Sequence, residues 1–177
     1  MLILGIETSC DDTAVAIVEN GRQVLVDLVA SQTRQHRKFG GVVPEVASRE
    51  HLLFLFPLLR EALRRGRLSP SRIDFLAVTV GPGLRGSLLV GVKTAQSLGF
   101  SWNKKIVPIN HLQAHLFASL LGRNTCWRFP LLGMVASGGH SALVLVQSYS
   151  SFRVLGETKD DAAGEAFDKI AKLLRLP

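Results

Sequence analysis

His111 and His115 stand four residues apart in Asn110-His-Leu-Gln-Ala-His-Leu-Phe-Ala118. On a helix that spacing puts both imidazoles on one face. Two neutral imidazoles side by side can share a transition-metal ion. Two polar residues on a half-exposed helix face would give the same pattern with no metal. The chain has five histidines, so two in one turn is a concentration. Leu112 follows the first of them. This is therefore not the His-Glu-x-x-His of zinc proteases, whose glutamate is the general base.

Three other stretches could do chemistry. Glu7, Ser9, Asp11 and Asp12 line a first polar turn. Clustered carboxylates can ligate a hydrated divalent ion or orient a nucleophile; Asp and Ser are also ordinary turn residues, the reading favoured for Asp12. Ser137-Gly-Gly-His-Ser141 forms a second turn. Its adjacent glycines allow close backbone approach to a ligand, and turn amides can hold phosphates. The third stretch, Gly156 to Lys169, is the most acidic. Asp160 or Asp161 suits a helix N-cap. Asp161, Glu165 and Asp168 then share one helix face, at a cost unless a ligand hydroxyl, metal or amine offsets it. An acidic helix start favoured by the dipole is the simpler account. Gly164 inside a helix costs about 1 kcal/mol against Ala, which points to close approach by backbone or ligand.

The elements that must hold these residues follow from periodicity. Leu2 to Glu7 reads as a strand, Ala14 to Val18 as its return, and Val24 to Ala30 as a third strand. Asn20-Gly21 between the last two tolerates positive φ and predicts a tight hairpin. Residues 31–43 read as a basic loop. Pro44 to Arg65 carries a helical pattern (Val46, Leu52, Leu53, Phe56, Leu59, Leu63) with Pro57 as a kink or break. A strand over 73–80, a turn at 81–86, a helix over 87–98 and a short strand over 106–109 lead to the histidine helix, about 110–121.

The pattern then restarts. Leu4-Gly5-Ile6 matches Leu132-Gly133-Met134, Ser9 matches Ser137, and Val15 to Val18 matches Leu143 to Val146, all offset by 128 residues. Two apolar hairpins can resemble each other by chance; a duplication explains the gapless match. The duplication predicts two similar α/β domains, 1–128 and 129–177, with their strand–turn–strand loops at a shared cleft. The second copy has three strands and one helix, so it is expected to be incomplete.

Composition bounds the rest. Apolar residues at 47% are enough for a core. The charge of +7 and a pI of about 10 favour a polyanionic partner such as RNA. Much of the excess lies in Arg34, Arg37 and Lys38 and in Arg60, Arg64, Arg65, Arg67 and Arg72, either of which could be a solvated face. Two cysteines, Cys10 and Cys126, make no disulfide framework and fit a reducing compartment. The apolar start lacks a basic region, so neither a signal peptide nor a membrane span is expected.

Six segments carry a resemblance: Gly5 to Ala14, Val43 to His51, Gly81 to Gly86, Asn110 to His115, Ala136 to Ser141 and Gly156 to Lys169. Together they resemble the tRNA adenosine threonylcarbamoyltransferase family, formerly described as O-sialoglycoprotein endopeptidase or glycoprotease. The resemblance runs the length of the chain. It implies an actin/hexokinase-like ATPase (ribonuclease H-like) duplicated fold. It implies a metal site on His111 and His115, for one divalent iron or zinc ion. It implies a substrate-binding turn at Val135, Ala136, Ser137, Gly138 and Gly139, a nucleotide contact at Asp168, and Asp11 near the reaction centre. The implied reaction moves the threonylcarbamoyl group from an ATP-derived adenylate to the adenosine beside the anticodon of tRNA. The implied partners are tRNA, threonylcarbamoyl-adenylate, a paralogous actin-like subunit and an ATPase subunit, in the cytoplasm and off the membrane. Gln113-Ala114 stands where many bacterial members resemble Glu-Gly. The family's third metal ligand, an aspartate, falls past Pro177, so transfer by these residues alone is not expected. The alternatives are a metal-dependent glycoprotein endopeptidase, which the missing glutamate disfavours, and a non-catalytic paralogue or a small-molecule kinase, which the histidine pair disfavours.

Overall fold

The computed structural model describes residues 1–119, 121 and 128–176. Cys126 lies outside the described residues. The chain divides into two compact units: residues 1–114 with Leu121, and residues 115–119 with 128–176. The division falls within the histidine helix.

The first unit is built on a five-stranded sheet. Strands β1 (Leu2–Glu7), β2 (Asp12–Glu19) and β3 (Gln23–Ser31) form an antiparallel meander, and β4 (Phe75–Gly81) and β5 (Lys105–Asn110) extend it in parallel, in the order β3-β2-β1-β4-β5. Leu2, Leu4 and Ile6 alternate into the core, as do Val15 and Ile17. Each such burial is worth about 1.5–3 kcal/mol. Asn20 and Gly21 take φ of 52° and 71°, the two left-handed residues of the expected tight hairpin.

The segment between β3 and β4 departs from expectation in three ways. Residues 31–43 are not all loop, because Thr33–Arg37 forms a short helix, α1. Its one buried side chain is His36, so no apolar stripe announces it. Helix α2 (Pro44–Gly66) runs through Pro57 without a break. Its buried face is Ala47, His51, Leu55, Leu59 and Ala62, while Leu52, Leu53 and Phe56 are exposed. The period of the apolar pattern was legible; its phase was not, since the residue that anchors the face is a histidine. Pro57 sits on the exposed side, where the buried face offsets its cost of about 3 kcal/mol. Helix α3 (Arg85–Trp102) crosses from β4 to β5, longer than expected at both ends. Helix α4 (His111–Ala118) starts directly after β5, and Asn110 Oδ1 accepts from the N–H groups of Leu112 and Gln113 at 3.0 and 3.1 Å to cap it.

The second unit holds a three-stranded antiparallel sheet, β6 (Leu131–Ala136), β7 (Ser141–Ser148) and β8 (Ser151–Glu157), followed by α5 (Ala163–Leu173). Its first pair repeats the register of the first unit. Leu132 faces Leu145 as Leu4 faces Ile17, and Met134 faces Leu143 as Ile6 faces Val15. The match at an offset of 128 residues is therefore a match of strand pairing. Val135, Ala142, Val144 and Val146 are buried, and Phe117, Tyr149 and Phe152 pack rings at centroid distances of 5.7–5.9 Å.

Helix α5 is capped differently from expectation. The residue before it is Ala162, and neither Asp160 nor Asp161 caps it by a side chain. Ser141 Oγ instead accepts the Ala163 N–H at 2.9 Å, tying the helix start to β7. Ser141→Ala should lower thermal stability by about 1 kcal/mol, with the change in helical signal measured by circular dichroism. Among the described residues no helix is long and apolar enough to cross a membrane.

Candidate active site

The first turn lies where the sheet's topology concentrates ends of strands. Ile6 pairs with Val78, and Thr79 pairs with Ile109, so β1, β4 and β5 finish side by side. Ligand sites in such sheets gather outside the carboxyl ends of parallel strands. Glu7, Thr79 and His111 meet there.

Glu7 is the hub. Its Oε2 accepts from Thr79 Oγ1 at 2.6 Å and from His111 Nδ1 at 3.1 Å, and its Oε1 accepts the Ser9 N–H. Burial works to raise this carboxyl, but the bonds from His111, Thr79 and Ser9 outweigh it and hold it at about 2. A carboxylate only accepts, so Nδ1 of His111 carries the ring proton. Ser9 Oγ lies 3.1 Å from the same nitrogen. Both contacts hold the Nδ1 edge of the ring; in a neutral ring so held, the lone pair is on Nε2.

The turn backbone is held on all sides. Ser9 O accepts the Leu84 N–H at 2.7 Å. A Cβ on Gly83 would stand 2.5 Å from that same Ser9 O, so the loop before α3 can approach only as glycine. Thr8 Oγ1 donates to Ser87 O at 2.8 Å beneath the turn, opposite Gly91, whose added Cβ would lie 2.4 Å from that hydroxyl. Asp11 is part-exposed at the tip. Desolvation of the neighbouring Cys10 thiol, with the Asp11 hydrogen bond and charge beside it, pushes Cys10 up to about 12. This favours the protonated thiol over the thiolate, the form that acts as a nucleophile.

In the second unit, Ser137 to Gly139 and the start of α5 come together. Gly164 N–H donates to Ser137 O at 3.1 Å, and a Cβ on Gly164 would stand 2.8 Å from Gly138 Cα. The glycine in the helix is explained by close approach of backbone. Ser137 Oγ donates to His140 O at 3.0 Å and closes the turn, and Val135 is buried at its base. Ala136, Gly138 and Gly139 are exposed, as is Asp168, one helical turn past Gly164. The acidic face also has its offset: Lys169 Nζ contacts Asp161 and lies 3.3 Å from Glu165.

A sequence profile for tRNA N6-adenosine threonylcarbamoyltransferase matches residues 23–177. The chain belongs to the TsaD family. It is 54% identical over 177 residues to the tRNA N6-adenosine threonylcarbamoyltransferase of Anaeromyxobacter sp. (strain Fw109-5), covering 100% of this chain and 53% of that protein. With the protein of the same name from Protochlamydia amoebophila (strain UWE25) it shares 48% over 177 residues, covering 100% of this chain and 52% of the relative. The chain spans about half the length of these curated relatives. Among solved structures, component A of the (R)-2-hydroxyglutaryl-CoA dehydratase of Acidaminococcus fermentans matches all of the chain and 55% of its own, at 15% identity and TM-score 0.55. YeaZ from Pseudomonas aeruginosa matches 89% of the chain and 66% of its own, at 18% identity and TM-score 0.53. These likenesses concern the fold, which is actin/hexokinase-like.

Within this family the histidine pair is the implied metal site. The fit rests on the donor set: a ring fixed by a carboxylate at Nδ1 presents Nε2, the arrangement by which metal-binding histidines are oriented. His115, one turn on, is exposed at the other end of the pair. Among the described residues no group of three His, Cys, Asp or Glu side chains is placed to hold an ion. Sequence reading noted Glu7 only as one of several turn carboxylates and missed Thr79. The sole cue was that Glu7 ends β1, next to the turn; its partner lies 104 residues away.

Proposed function

We propose that this chain takes part in transfer of the threonylcarbamoyl group from its adenylate to the amino group of the adenosine beside the anticodon of tRNA. The observation that carries the reading is the Glu7–His111 bond at the strand ends, in a member of this family. The adenosine nitrogen forms a bond to the carbamoyl carbon, the carbamoyl–phosphate bond breaks, AMP leaves, and the amino group loses a proton. Asp11, at the tip of the first turn, is the group proposed to stand at that proton. Ser137, Gly138 and Gly139, with Val135 and Ala136 leading in and Asp168 on α5, are proposed to hold the adenylate through backbone amides and a carboxylate. His111 and His115 would hold one divalent iron or zinc ion, which supplies polarisation of the threonylcarbamoyl carbonyl or a hold on its carboxylate. Glu7 keeps the first imidazole in register. The excess of cations favours the RNA partner. A paralogous actin-like subunit and an ATPase subunit are the proposed protein partners, in the cytoplasm.

The metal reading is tested by elemental analysis of the purified chain and of the His111→Ala, His115→Ala double variant. Bound iron or zinc should fall to background in the variant, with circular dichroism unchanged. Equal metal content in both proteins would sink the assignment.

A further inference from the structure

Three polar side chains lie buried beneath the first turn and take no part in the transfer reading. Gln32 and His51 are fully buried and His36 nearly so. A buried polar group left unmet costs about 1–3 kcal/mol. Here each group is met, and the partners force the direction of every bond.

Val43 N–H can only donate, and it points to His36 Nδ1 at 3.3 Å. His36 therefore carries its proton on Nε2 and donates to Gln32 Oε1 at 3.1 Å. The other end of that amide, Nε2, stands 3.4 Å from both Ala47 O and His51 Nδ1. The Cys10 carbonyl can only accept, so His51 donates to it from Nε2 at 3.0 Å, while Thr13 Oγ1 donates to His51 Nδ1 at 2.7 Å. Burial pushes His51 below its ordinary value, against the pull of the Cys10 carbonyl and of Glu7, Asp11 and Asp12, so the neutral ring that this order needs is favoured. The backbone of Gln32 completes the grip, its N–H donating to Asp11 O at 3.2 Å.

Two successive carbonyls of the turn, Cys10 and Asp11, are thus held by members of one chain. The far end of that chain is α1 and Val43, the residue before α2. The same segment carries Arg34, Arg37 and Lys38, all exposed. Apolar residues of the same shape can fill such a space at little or no net cost. A fully met polar network fixes one geometry instead.

We propose that His36, Gln32 and His51 are positioning residues that set the Cys10–Asp12 turn from the basic segment at Thr33–Phe39. The role of the turn rests on the transfer reading; the coupling itself does not. RNA phosphates drawn to Arg34, Arg37 and Lys38 would act on α1, and α1 on the carbonyls that flank the Asp11 side chain.

Spectra of the 177-residue chain test the coupling directly. Side-chain nitrogen spectra should show His36 and His51 as Nε2–H tautomers. His36→Leu should shift the amides of Cys10, Asp11 and Asp12, which His36 does not touch, and leave the Asn20–Gly21 hairpin in place. His36→Gln, which can still donate to Gln32, should restore them. An Nδ1–H tautomer at His51, or shifts confined to residues 32–43, overturns the proposal. Where His36→Leu fails to fold, the wild-type tautomers decide alone. In a threonylcarbamoyl-transfer assay, His36→Leu should lower kcat about tenfold with KM for tRNA changed less than about twofold. A change in KM alone overturns the positioning role. Transfer is not expected of these residues alone, so its absence in the unmutated chain leaves the transfer reading standing, and the spectra decide the coupling.

Discussion

Glu7→Gln should weaken the fold and the metal site together. The carboxylate receives three donors: Thr79 Oγ1, His111 Nδ1 and the Ser9 N–H. An amide offers one oxygen and turns an NH₂ toward the remaining donors, so at least one goes unmet in a part-buried place. Without its carboxylate the His111 ring loses what fixes its tautomer, and loss of such a partner typically lowers metal affinity about 10–100-fold. The pH dependence has a definite sign. The folded carboxyl is held at about 2, below the ordinary 4.5, so ionised Glu7 favours the folded chain above that ordinary value. This contribution, on the order of 3 kcal/mol, is full at neutral pH and is lost as pH falls from about 4.5 to about 2. Urea unfolding of the metal-free proteins should therefore show a gap between wild type and Glu7→Gln that is widest near pH 7 and closes on acidification. A gap that does not change with pH would mean that Glu7 acts through packing and not through its charge.

Some of this site could be read from residues and some could not. The short apolar run from Leu2 to Ile6 gave the first strand, and the structure buries alternate residues of it, Leu2, Leu4 and Ile6. The duplicated pattern was legible because its two copies share strand pairing, residue for residue, from Leu4 and Leu132 onward. The phase of α2 was not legible. Leu52, Leu53 and Phe56 are apolar and exposed, while His51 is polar and fully buried, so an apolar count points away from the packed face. Short α1 was missed for the same reason: its anchor is His36, met by Gln32 one turn before it. The Glu7–His111 bond was beyond reach because it joins residues brought together only by the pairing of β1 with β4 and of β4 with β5. Polar anchors and long-range pairings are the parts of a fold that local periodicity does not encode.

Gly164→Ala separates a helix argument from a contact argument. In an exposed helix interior this change stabilises by about 1 kcal/mol, because alanine loses less backbone entropy on folding. Gly164 lies in the first turn of α5, so propensity alone predicts a gain. The contacts predict the reverse. The new Cβ would stand 2.8 Å from Gly138 Cα, 2.9 Å from Gly138 N and 2.9 Å from Ser137 O. All three are backbone atoms, and no rotamer change moves them aside. Either the helix start or the Ser137–Gly139 turn must shift, and the Gly164 N–H bond to Ser137 O shifts with it. Overpacking of this kind costs about 1–3 kcal/mol, enough to reverse the propensity gain. A lower melting temperature for Gly164→Ala, with the largest amide shifts at Ser137, Gly138 and Gly139, is the expected result. A higher one would show that the turn yields freely, and the proposed adenylate-binding backbone would then lack the rigidity that preorganised amides require.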